Sequence, residues 1–111
     1  MQTSSLKNVL DHLRVTFAFD IDDTRKLLTM LHKTLIESVP ILSGNEAEPI
    51  YQKSHNLHSE LHMCGNEELS ELAATIELKA KAGEIDHDRI NTFITESQLF
   101  ARDLSQWLSS E

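Results

Sequence analysis

Apolar residues return along this chain at intervals of three and four with polar residues between them, a spacing that predicts five helices. Leu6, Val9, Leu10 and Leu13 mark a short first helix that Ser4 or Ser5 can cap. The apolar run VTFAF follows it, and the pattern leaves its type open. DIDDTRKLLTMLHKTLIESVP, residues 20–40, predicts a second helix with an acidic start, a stripe of Leu27, Leu28, Leu31 and Leu35, and Pro40 just past its end. LSGNEAEP reads as the next turn. Ile50, Ser54, Leu57, Leu61 and Cys64 then recur at four, three, four and three, the inward seam of a third helix.

Gly65 suits the left-handed conformation that ends a helix, and Asn66 can cap the next one, which predicts an abrupt hairpin. The fourth helix covers residues 67–82, carries Leu69, Leu72, Ala73, Ile76 and Ala80 on one stripe, and stops at Gly83. Asp86 caps a last helix whose inward positions are Ile90, Phe93, Ile94, Ser97, Phe100, Ala101, Leu104 and Leu108. The expected fold is all-α: an antiparallel up-and-down four-helix bundle with a short extra N-terminal helix, forming one domain over residues 1–111.

Composition narrows the function more than the fold. A formal charge of −8 argues against nucleic acid, whose phosphates are held by Lys and Arg clusters missing here. The single cysteine, Cys64, has no internal partner and reads as a small buried hydrophobe in the seam. No apolar run approaches the roughly 20 residues that span a bilayer, and no N-terminal stretch resembles a signal peptide. The expectation is a soluble, cytoplasmic monomer.

The candidate chemistry lies in SHNLHSELHMCGN, residues 54–66, where His55, His58 and His62 are spaced three and then four apart. His55 lies roughly 140° from the centre of the buried seam and faces outward. Ser59 and His62 share that side, while His58 sits nearer the seam's edge. His55 precedes Gly65 by ten residues and Glu77 follows Asn66 by eleven, which puts both about 15–17 Å from the turn on adjacent helices. A hydrogen bond from His55 Nδ1–H to Glu77 would leave Nε2 unprotonated and outward as a nucleophile. Lys81, one turn beyond Glu77, can pair with it or reach a phosphoryl group.

These residues resemble the histidine-containing phosphotransfer family, whose pattern is a histidine, any residue, an apolar residue, usually Lys, then a small residue, with glycine ten positions after the histidine. His55, Leu57, Ser59 and Gly65 fit it; Leu69, Ala73, Ile76 and Glu77 fit the following helix, and AKAGE its ending. The likeness covers residues 20–108. It implies a phosphorelay intermediate of the freestanding bacterial type, in which His55 accepts a phosphoryl group from a receiver-domain aspartate and passes it to another receiver. The implied partners are response-regulator receivers and a hybrid sensor histidine kinase. The receiver would bring Mg²⁺, with no cofactor and no autonomous kinase activity on this chain. Glu77 takes the family's imidazole-orienting position. Two positions depart from the pattern: the usual Lys is His58, which when protonated can neutralise part of the phosphate charge, and the usual glycine is Ser59. Tyr51 and His62 are expected in the docking patch.

Two rival readings use the same residues. His58 and His62 have the spacing of a helical zinc pair with His55 as a third ligand, yet no cysteine lies on that face, and no metal is expected. A helical binding module without phosphoryl chemistry, a degenerate form of the same fold, would leave the histidines as a solvated face. Trp107 reads as packing, and His12, His32 and His87 belong to no visible constellation.

Overall fold

Three helices start by the same device. Asp20 Oδ1 accepts from Asp23 N at 2.8 Å, Asn66 Oδ1 from Leu69 N at 3.1 Å, and Asp86 Oδ1 from Arg89 N at 3.1 Å. Each cap satisfies one of the amide groups that a helix leaves without an internal partner. In the computed structural model, which describes residues 4–110 (for Ser4 the backbone only), the helices are α1 (Ser4–Phe17), α2 (Ile21–Leu42), α3 (Ala47–Cys64), α4 (Glu67–Lys81) and α5 (His87–Ser109). No strand occurs among the described residues.

Three boundaries differ from the pattern's prediction. The first helix takes in most of VTFAF and ends only at Phe17, where Ala18 turns the chain with a φ of 54°. Ser4 and Ser5 both lie inside it. The second helix runs through Pro40 to Leu42. Proline there removes a bond to the carbonyl of Ile36, whose side chain is exposed, while the extra turn buries Leu42 almost completely. Burying a leucine contributes roughly 1.5–3 kcal/mol, comparable to the ~3 kcal/mol cost of an internal proline. The third helix starts at Ala47, so Pro49 falls in its first turn, where a missing N–H forfeits no helical bond.

The core is one cluster fed by all five helices, with Leu13, Leu28, Leu35, Leu57, Leu61, Ile76, Phe93 and Leu104 among its buried members. All five residues of the predicted α3 seam are buried. Leu27, Leu72, Ile94 and Leu108 lie at its margin, partly buried. Helix contacts close a ring, α2 to α3 to α4 to α5 and back to α2, and α1 lies against α3 and α5. At Gly65, with φ of 92°, a Cβ would stand 2.7 Å from His12 Cβ, so α1 packs directly on the turn between α3 and α4. Among the described residues no helix is long and apolar enough to cross a membrane.

Candidate functional site

The hairpin of α3 and α4 sets the site by its register. Moving away from Gly65, side-chain bonds link His62 to Glu67, Ser70 to the backbone of His58, and His55 to Glu77. Ser54, Ser70 and Ala73 are buried, and such small side chains at a helix contact let two backbones approach closely. Ser70 Oγ donates to His58 O at 3.0 Å and Ser54 Oγ to Ile50 O at 2.7 Å, so neither hydroxyl is left unpaired.

On that platform His55 projects outward with its side chain about half exposed (55%), and its Nδ1 lies 2.8 Å from Glu77 Oε2. The expected pairing is present. Glu77 holds a second imidazole as well: His58 Nδ1 lies 3.0 Å from the other oxygen, Oε1. An ionised carboxylate only accepts hydrogen bonds, so both rings must donate through Nδ1–H, and in the neutral form both Nε2 atoms carry free lone pairs. The Glu77 side chain is only 19% exposed. Burial alone pushes its carboxyl upward, but the hydrogen bonds and positive character of His55 and His58 outweigh that and hold it below its usual value of 4.5.

The other expected residues fall around this pair. Tyr51 stacks on the His55 ring with centroids 6.1 Å apart, a contact that restricts the imidazole on its N-terminal side. Ser59 is exposed one turn past His55. His62 is exposed on the same side with its Nδ1 2.8 Å from Glu67 Oε1. Lys81 is exposed one turn beyond Glu77 and makes no ion pair among the described residues. Among the described residues no group of three or more His, Cys, Asp or Glu side chains is arranged to hold a metal ion.

Two features were not anticipated. The shared carboxylate is one; the His58 bond depends on a side-chain rotamer that spacing does not reveal. The other is His12, which joins a constellation after all: Nε2 lies 3.1 Å from Met63 O, Nδ1 lies 3.3 Å from Thr16 Oγ1, and the ring covers Gly65. Trp107 packs at the core margin under the Arg25 guanidinium, 5.7 Å from its ring centroid. No protein-family model, no curated protein and no solved structure matches the chain.

Proposed function

We propose that this chain is a histidine-containing phosphotransfer module, a phosphorelay intermediate that carries a phosphoryl group on His55 between receiver domains. The observation that carries the reading is the oriented, exposed imidazole: Nδ1 tied to Glu77 at 2.8 Å on a helix hairpin, with Nε2 directed away from the bond. In this reading α2 to α5 form the antiparallel up-and-down bundle and α1 is the additional helix; the closed ring of helix contacts supports it.

Phosphoryl transfer asks for in-line positioning and charge stabilisation more than for covalent chemistry from the protein. The lone pair of His55 Nε2 attacks the phosphorus of an aspartyl phosphate on the receiver, the P–O bond to the aspartate breaks, and the carboxylate leaves. Nδ1–H stays on the ring, so the product is a phosphorylated imidazolium. Its positive charge faces the Glu77 carboxylate, which is already in place and needs no reorganisation. The return step runs in reverse, with neutral imidazole as the leaving group. Mg²⁺ and a lysine come from the receiver, and a hybrid sensor kinase supplies the relay upstream. Ser59 leaves room beside His55 for the receiver's loops, Tyr51 and His62 line the docking face, and Lys81 lies within a turn of the transfer site to meet the phosphoryl oxygens. The protein acts in the cytoplasm as a monomer.

The test is transfer from phosphorylated receivers of the same organism to the purified protein. The expected result is an acid-labile, alkali-stable label on wild type, mapped to His55 by mass spectrometry, with His55→Gln strongly slowed and still folded. Absence of label from every cognate receiver would move the assignment to a helical binding module.

A further inference from the structure

The Glu77 carboxylate orients two imidazoles, not one, and we propose that His58 is a second phosphoryl acceptor beside His55. This rests on the phosphotransfer reading and extends it to a residue that stands where that pattern usually has a lysine. His58 meets each requirement that His55 meets. Its Nδ1 bonds Glu77 Oε1 at 3.0 Å, which fixes the tautomer with a free Nε2 lone pair. Its side chain is 43% exposed against 55% for His55, so a small donor reaches both. The positive charge that develops on phosphorylation faces the same carboxylate, through its other oxygen.

The two acceptors are not independent. They stand three residues apart on one helix face, so a phosphoryl group on one places its charge next to the other's Nε2 and discourages a second addition. The chain therefore carries one phosphoryl group at a time, on either of two nitrogens served by one carboxylate. His62 also donates to a carboxylate, but that pair is open to solvent at both ends, with side chains 69% and 59% exposed, and its ring is held far less firmly.

Phosphoramidate separates acceptor chemistry from receiver docking. In the step expected at His58, Nε2 attacks phosphorus, the P–N bond of the protonated donor breaks, ammonia leaves neutral, and the Nδ1 proton remains on the bond to Glu77. The experiment follows site-resolved labelling of wild type, His55→Gln and His55→Gln/Glu77→Gln by mass spectrometry at neutral pH. His87, exposed at the start of α5 with no carboxylate bond among the described residues, is the internal reference. The expected result is that His58 in His55→Gln labels faster than His87 and within about tenfold of His55 in wild type. Adding Glu77→Gln removes the negative charge that faces the phosphorylated ring, though one accepting oxygen remains, and should slow His58 towards the His87 rate. If receivers label His55 while phosphoramidate labels His58 no faster than His87, the second acceptor is refuted and the relay reading stands. If residual label in His55→Gln maps to His62 instead, the inference also fails. If no receiver labels wild type, the relay reading fails and this inference with it.

Discussion

Replacing Glu77 by Gln changes one oxygen into an NH₂ with almost no change of shape, and the consequence follows from counting donors. The carboxylate accepts Nδ1–H from both His55 and His58. A carboxamide offers one accepting oxygen and one donating nitrogen, so only one ring keeps its Nδ1–H bond. The other meets an N–H and must take the opposite tautomer, with Nδ1 accepting and the proton on Nε2. In that tautomer the outward Nε2 carries no lone pair. A hydrogen bond worth about 0.5–1.5 kcal/mol net shifts the tautomer ratio of each ring roughly 2- to 13-fold. The assay is long-range ¹H–¹⁵N correlation of the ring nitrogens in mildly alkaline buffer. Wild type should show His55 and His58 both protonated on Nδ1; Glu77→Gln should show one of them protonated on Nε2, with transfer to His55 falling by the same factor if His55 is the ring displaced. Two Nε2–H rings in wild type, or no change in either ring on substitution, would refute the reasoning.

The same carboxylate makes a pH-dependent contribution to stability. Its folded value lies below the ordinary 4.5, so the unfolded state binds the proton more readily. The contribution is therefore fully present above pH 4.5 and is lost as pH falls through the lower folded value. Both imidazoles are about half exposed, which limits each bond to about 0.2–1 kcal/mol and the pair to about 0.4–2 kcal/mol. Urea unfolding of Glu77→Gln should show a smaller loss of stability between neutral and acid pH than wild type.

Gly65→Ala should destabilise the fold by about 2–3 kcal/mol, part from the left-handed backbone and part from displacing His12 off Met63 O, read as a lower urea midpoint; a loss under about 0.5 kcal/mol would contradict the close approach of α1 to the turn. Burial pushes the Cys64 thiol from 9.0 up to about 11, which makes its thiolate about a hundredfold scarcer at a given pH, so iodoacetamide should alkylate the native protein at least that much more slowly than the unfolded chain. Equal rates in the two states would show that Cys64 is not sealed in the α3 seam.

How much of this was legible in the sequence depended on whether a feature rests on the helix repeat or on a rotamer. The α3 seam was readable because Ile50, Ser54, Leu57, Leu61 and Cys64 follow a repeat that a helix buries whole. VTFAF was not, because Val15 and Phe17 are exposed and carry no core-facing period. Pro40 gave a stop signal that the burial of Leu42 overrides. The His55–Glu77 pair needed only the rise per residue and a turn fixed at Gly65, both set by sequence.

The second bond to Glu77 needed side-chain geometry, yet its logic is general. A carboxylate has two oxygens, and on a close helix hairpin one that lies level with the first of two histidines three residues apart is within a single turn of the second. A histidine at that position does what a lysine cannot. Lysine has only a charge to offer a phosphoryl group, whereas an imidazole tied down at Nδ1 also presents a lone pair. In the phosphotransfer reading, His58 thus puts a nucleophile oriented by Glu77 where the family's pattern has a fixed cation.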